Sequence, residues 1–170
     1  MPVCTFTGHR SAKLPWGYNE DAPACRELKQ RIYDTAEAVY SAGFHTFICG
    51  MAEGCDLYFC EAVLALRQTR GDVTLEAAIP YQAQADRWPE ADRRRRAILL
   101  PQCDYETMVQ HHYSAGCLTR RNRYMVDRSS LLLAVYDGEP TGGTMYTLQY
   151  AMNQGVRTVI LDVTQAQGAG

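Results

Sequence analysis

The chain of 170 residues has little of several features that would assign it to a class of protein at once. Its apolar runs fall well short of the roughly 20 residues that cross a bilayer, so we expect no membrane-spanning helix. Lys and Arg number 17 against 19 Asp and Glu, a net charge of −2, which gives no general attraction to nucleic acid or to a membrane surface. The amino-terminal segment 1–6 has no basic residues, so we expect no export and a cytoplasmic location.

The seven cysteines lack the spacing of a zinc site and the even number of a disulfide framework. Five residues separate Cys49 from Cys55 and four separate Cys55 from Cys60, unlike the short pairs that bind structural zinc. Most of the cysteines have apolar neighbours, where cysteine packs as a small hydrophobic residue. We therefore expect free, reduced and mostly buried thiols, and no metal site.

What the chain does have is a regular alternation of short apolar runs with helical patterns, which predicts an α/β fold with a mostly parallel sheet. The predicted strands are 3–7, 44–49, 73–79, 105–109, 131–136 and 157–162. The predicted helices are 25–40, 55–68, 87–100, 117–128 and 144–154. The pattern predicts one domain over 1–170, in which the polar tail 164–170 frays.

Three glycine-bearing turns follow the ends of predicted strands, at 7–10, 50–54 and 137–144. Ligands of open parallel sheets bind at the carboxyl ends of the strands, near the point where strand order reverses. Because the three turns share this placement, we expect them to form one ligand site. Glycine-rich connectors without a ligand are the alternative.

The turn at 137–144 carries the clearest signal for an anion. Gly142 and Gly143 let the backbone approach a phosphate, and Thr144 adds a hydroxyl where the next helix begins. Asp137 would repel a phosphate at close range, so we expect it to contact a ribose hydroxyl or a neighbouring loop. In the first turn, Arg10 suits a phosphate because its guanidinium donates two parallel hydrogen bonds, although a solvated surface arginine fits equally well.

The second turn holds two carboxylates with different expected roles. Asp56 lies in the first turn of a helix, where capping is the more common role of an acidic residue. Glu53 lies in the loop itself, where it could bond a ribose hydroxyl or act as a base. In the helix 117–128, Asn122 falls on the stripe that faces the core, so its amide needs a partner from a loop or a ligand. Arg123 lies on the adjoining face, where a solvated ion pair is the alternative to a ligand contact.

Together these patterns predict one catalytic candidate, Glu53, and a set of ligand-binding candidates from two parts of the chain, 7–56 and 122–144. The ligand-binding candidates are Thr7, Gly8, His9, Arg10, Gly50, Met51, Gly54, Asp56, Asn122, Arg123, Asp137, Gly142, Gly143 and Thr144.

In the same order, the motifs at 7–10, 50–56, 121–127 and 134–144 resemble the YpsA-like family of the SLOG superfamily. The resemblance implies a Rossmann-like α/β/α sandwich of about six strands and a nucleotide or nucleotide-derived ligand, with a role in signalling or stress response. We expect no cofactor to be required besides this ligand. Related domains often dimerise, so a homo-oligomer is possible.

LOG-type phosphoribohydrolases of the same superfamily release a base from a nucleoside monophosphate. Their motif is Pro-Gly-Gly-x-Gly-Thr and then, after two further residues, a glutamate. Thr147 occupies that position here and cannot act as a carboxylate base, so LOG-type catalysis is in doubt.

Three functions are therefore compared. The first is binding of a nucleotide-derived ligand at the carboxyl edge of the sheet. The second is hydrolysis of a nucleoside monophosphate with Glu53 or Asp56 as the acid or base. The third is binding of single-stranded DNA, as in DNA-processing relatives, which the net charge of −2 disfavours.

Overall fold

A computed structural model describes residues 2–163 of the protein. The strands are β1 (Val3–Gly8), β2 (Thr46–Cys49), β3 (Thr74–Ile79), β4 (Tyr105–Met108), β5 (Leu131–Tyr136) and β6 (Arg157–Asp162). The α-helices are α1 (Pro23–Ser41), α2 (Cys55–Arg70), α3 (Glu90–Leu99), α4 (Cys117–Asp127) and α5 (Gly143–Asn153). The tail 164–170, for which fraying is predicted, lies outside the described residues.

The strands form one parallel sheet in the order β4-β3-β2-β1-β5-β6. From β1 the chain builds outward to β4, crosses back through α4, and then adds β5 and β6 on the other side of β1. Strand order therefore reverses between β1 and β5, and the predicted Rossmann-like α/β fold is confirmed.

Side chains on the two faces of β5 belong to two separate cores, which makes the molecule a three-layer sandwich. Leu133 packs with residues of α1, α2 and α3, whereas Leu132 packs with residues of α4 and α5. On the first side, the Phe6 and Phe59 rings stack with centroids 4.5 Å apart. Both faces of the sheet are covered by helices, as a parallel sheet requires.

The observed boundaries follow the sequence patterns, with one clear difference at α3. That helix begins at Glu90 rather than at residue 87, because Pro89 lies at its amino cap with an extended ψ of 146°. Proline is well suited to the start of a helix but lacks the amide that a helix interior needs. None of the described helices is long and apolar enough to cross a bilayer.

Candidate functional site

A cleft of about 400 Å³ opens at the carboxyl ends of β1 and β5, at the reversal of strand order. Its lining comes from β1 and the loop after it, the turn before α2, and the helices α2, α4 and α5. The residues that line it are Phe6, Thr7, Gly8, His9, Arg10, Ala12, Lys13, Ala52, Asp56, Leu118, Arg121, Asn122, Met125, Gly143 and Thr144.

The amino-terminal turn of α5 forms the mouth of the cleft. Tyr146 donates the first helical hydrogen bond, to the carbonyl of Gly142, so the amides before it in the turn have no partner within the helix. Gly142 adopts φ 103° and ψ 173°, a conformation open almost only to glycine. A Cβ there would lie 2.9 Å from Lys13 Nζ. The ammonium group of Lys13 therefore stands beside the positive end of the helix dipole, where an anion would compensate both.

His9 lies at the junction of β1, β5 and α5. Its Nδ1 is 3.4 Å from Thr144 Oγ1, and its Nε2 is 3.1 Å from Asp137 Oδ1, although the latter contact lacks the alignment of a hydrogen bond. Partial burial raises the pKa of Asp137, but the Glu139 amide and His9 more than offset it, so the pKa lies below its usual range. Asp137 thus supports the wall of the cleft from behind, through His9.

The inner end of the cleft contains a carboxylate and a guanidinium that are both buried. Asp56 and Arg121 are exposed to only 6% and 5%. Burial raises the pKa of the Asp56 carboxyl, and the charge of Arg121 opposes that rise. Burial likewise lowers the pKa of Arg121, and Asp56 opposes that change.

Asp56 lies in the first turn of α2, as predicted, but its side chain makes no capping hydrogen bond to the helix. Its Oδ2 accepts a hydrogen bond from the Ala52 amide at 3.1 Å, in the turn that precedes α2. The Asp56 carboxylate therefore fixes the shape of this turn, while the residue also lines the cleft.

Arg121 joins three parts of the chain under the cleft. Its Nη1 donates to the carbonyl of Gly50 and, at 3.4 Å, to that of Ala78, and its Nε donates to Asn122 Oδ1 at 2.8 Å. Helical periodicity alone does not show that an arginine among neighbouring arginines points inward, so the sequence signal missed this role. Lys13 was also missed, because nothing in the loop sequence relates it to α5.

The glycines of the first two turns do allow close contacts, but these contacts are with other residues of the same chain. A Cβ on Gly8 would lie 2.6 Å from Cys55 Cβ, one on Gly50 would lie 2.7 Å from Arg121 Nη1, and one on Gly54 would lie 2.7 Å from the Ser11 amide nitrogen. Of these three glycines, only Gly8 lines the cleft. Gly50 and Gly54 shape the wall behind it.

Three further candidates lie outside the lining of the cleft. Glu53 is buried and accepts a hydrogen bond from the Ser11 amide at 3.3 Å, so it holds the loop after β1 in place. Met51 is buried with φ 57°. Arg123 is exposed on α4, where it packs over the rings of Tyr146 and Tyr150.

Fold and cleft define a doubly wound parallel α/β protein with an open cleft at its reversal point. The chain belongs to the YspA SLOG family, whose sequence model matches residues 4–163, and the resemblance of the four motifs is thereby confirmed. A UPF0398 protein of Bacillus pumilus is 24% identical over 90% of this chain and 83% of its own. The UPF0398 protein YpsA of Bacillus subtilis is 26% identical over 87% of this chain and 83% of its own.

Proposed function

We propose that the cleft binds a small nucleotide or nucleotide-derived ligand, with a phosphate at the amino terminus of α5. The observation that carries the proposal is the gathering of Lys13, Arg10 and the first turn of α5 at one mouth of the cleft. Two side-chain cations and unpaired backbone amides there would meet the phosphate without a metal ion.

The size and the apolar part of the lining favour a ligand of about the size of one nucleotide. A volume of about 400 Å³ lies near the lower end of the roughly 300–1,000 Å³ of small-molecule sites. Leu118, which is half-buried in the lining, contributes apolar surface against which a base can pack.

Binding is tested by calorimetric titration with AMP, followed by ADP-ribose, NAD and cyclic nucleotides. We expect Lys13→Ala to weaken binding of AMP roughly tenfold or more, since hydrogen bonds to charged groups contribute about 1.5–3 kcal/mol. The matched control is Arg120→Ala, because Arg120 is exposed on α4 and bonds Gln110 outside the cleft lining.

A ligand that binds only the native state also raises its melting temperature; at about 100 times Kd the stabilisation is about 2.7 kcal/mol. Absence of both heat and thermal shift with every nucleotide of the panel would contradict the proposal. An equal loss of affinity in Lys13→Ala and Arg120→Ala would refute the placement of the phosphate.

The second candidate function is hydrolysis of a nucleoside monophosphate, favoured by one observation. Asp56 is a carboxylate in the cleft lining whose pKa is raised by burial, as a general acid requires. The other two candidate positions for a catalytic base do not support hydrolysis. Glu53 lies behind the wall of the cleft. Thr147, at the position of the LOG-type glutamate, is buried and donates to the Gly143 carbonyl at 2.9 Å. Chromatography of AMP after incubation with the protein decides, since hydrolysis would release free adenine and binding alone would not.

Single-stranded DNA binding is the third function to be tested. A net charge of −2 gives no general attraction for a polyanion, so we expect an oligonucleotide to keep its electrophoretic mobility at low salt.

A further inference from the structure

The floor of the cleft presents polar atoms that the described part of the chain does not satisfy. Asp56 uses Oδ2 on the Ala52 amide, and no described residue bonds its Oδ1. Arg121 uses Nη1 and Nε, which leaves Nη2. Asn122 accepts from Arg121 through Oδ1, which leaves its Nδ2 amide. All three residues line the cleft, so one acceptor and two donors are available to a ligand there.

Such a floor does not suit the phosphate. The Asp56 carboxylate would repel a phosphate, whereas the cations Arg10 and Lys13 are exposed in the loop after β1. The apolar residues Phe6 and Met125, which also line the cleft, are buried like Asp56 and Arg121. The floor is therefore the place for the base, and the mouth is the place for the phosphate.

The hydrogen-bonding pattern of the floor restricts which base fits. A carboxylate oxygen accepts only, and the guanidinium and amide nitrogens donate only. The complementary edge of a ligand must donate at one position and accept at the next. Adenine and cytosine have such an edge, an exocyclic amine beside a ring nitrogen, whereas hypoxanthine and uracil have a carbonyl in place of the amine.

We propose that this floor selects a nucleotide whose base carries an exocyclic amine beside a ring nitrogen acceptor. The amine donates to Asp56 Oδ1, and the ring nitrogen accepts from Arg121 Nη2 or Asn122 Nδ2. The inference rests on the proposed function and names the class of base that the same cleft takes. A carbonyl in place of the amine would set two acceptors against each other in a buried site, which is costly.

Calorimetric titration with the pairs AMP and IMP, and CMP and UMP, tests this selection. Each good pair of base contacts contributes about 1–3 kcal/mol of discrimination, so we expect the amino member to bind roughly ten- to a hundredfold more tightly. Equal affinities for AMP and IMP would overturn the inference and leave the proposed function standing. Absence of binding by all four nucleotides would overturn both.

The substitution Asp56→Asn tests which residue makes the selection. The asparagine can keep its oxygen on the Ala52 amide and so turn an NH₂ donor toward the base. We expect the preference for AMP over IMP to disappear or reverse. The matched control is Asp127→Asn, which removes an exposed carboxylate that bonds Tyr150 on the outer face of α4. A preference for AMP that survives Asp56→Asn in the folded variant, verified by circular dichroism, would refute the role of Asp56. Should the variant fail to fold, the AMP to IMP ratio of the unaltered protein decides.

Discussion

At the scale of single residues, Arg121 connects three elements beneath the cleft. Its guanidinium bonds the carbonyls of Gly50 at the end of β2 and Ala78 in β3, so it holds two strand ends and α4 together. A buried charge that is satisfied in this way stabilises its surroundings, but its removal leaves buried carbonyls without donors.

We therefore expect Arg121→Met to lower the free energy of unfolding by roughly 3–5 kcal/mol, the range for removing one member of a buried charged network. Arg120→Met, one residue earlier on the exposed face, should change it by less than about 0.5 kcal/mol. Urea unfolding followed by circular dichroism measures both. Similar values for the two variants would contradict the structural role of Arg121.

Asp137 gives the stability a defined dependence on pH. The folded-state pKa of its carboxyl lies below the unfolded value, despite the opposing effect of burial, because the Glu139 amide and His9 favour the charged form. Its contribution is therefore present above the unfolded pKa of about 3.9 and is lost as the pH falls through the lower, folded-state value.

Accordingly, Asp137→Asn should reduce stability at pH 6 and have little effect at the acid end of the range. Urea unfolding of both proteins between pH 6 and pH 3 checks the sign. The control is Asp21→Asn, whose carboxylate is 95% exposed and lies 3.8 Å from Arg26, a contact of little energetic value in water. A difference between Asp137→Asn and the unaltered protein that grows as the pH falls would contradict this assignment.

The contacts of individual residues are the part of the structure that the sequence predicts least well, for a physical reason. The inward side chain of Arg121 and the contact of Lys13 with α5 both depend on segments far apart in the chain. Local patterns carry no information on such pairs. Asp56 illustrates the same limit, because capping preference describes its position in α2 but not the Ala52 amide that it bonds.

At the scale of elements, the turn before α5 is the part of the fold on which the proposed phosphate site depends. Gly142 has φ 103° with Lys13 beside it, and Gly138 has φ 89° with open space around it. Comparing a substitution at each glycine therefore distinguishes the energetic cost of the backbone conformation from the effect on the cleft.

We expect Gly138→Ala and Gly142→Ala each to destabilise the fold by about 1–3 kcal/mol, because a side chain strains a residue with positive φ. Only Gly142→Ala should also weaken binding of AMP, since its new Cβ would displace Lys13 Nζ. Thermal unfolding and calorimetric titration on both variants measure the two effects. Unchanged affinity in Gly142→Ala would contradict the place given to Lys13.

The elements themselves could largely be predicted from the sequence. β5 is a continuous apolar run that is buried on both faces of the sheet, and its predicted range 131–136 is also the observed one. The start of α3 could not be placed as well, because the charged residues after Pro89 continue a helical pattern that the proline interrupts.

For the whole molecule, the packing makes a prediction about its thiols. All seven cysteines are free, and six of them are buried, whereas Cys103 is partly exposed. The neighbouring Cys60 thiol lowers the pKa of the Cys103 thiol despite its partial burial, while burial raises the pKa of Cys4 to about 12. Thiolate is the reactive form, so reactivity should be confined largely to one site.

We expect Ellman's reagent to modify Cys103 rapidly in the native protein and the remaining thiols only after denaturation. Cys103→Ser should abolish the fast phase, and Cys117→Ser, which removes a buried thiol, should leave it unchanged. Fast reaction of several thiols in the native state would contradict the burial of six of the seven cysteines.

The gathering of the turns at one rim could also be predicted, since parallel strands bring their carboxyl ends to the same edge of the sheet. The structure also shows that the turns have different positions relative to the cleft. Gly142, Gly143 and Arg10 lie at or beside the cleft, whereas Gly50 and Gly54 support its wall through contacts with Arg121 and the 9–11 segment.

The most direct test of the proposed phosphate site in the cleft between β1 and β5 is a titration of ¹⁵N-labelled protein with AMP, in which the amide resonances are followed. We expect the largest shifts at Gly143, Thr144 and Met145 in the first turn of α5 and at Arg10 in the loop after β1. Shifts confined to the opposite, amino-terminal edge of the sheet, or none at millimolar AMP, would contradict the binding of a nucleotide in this cleft.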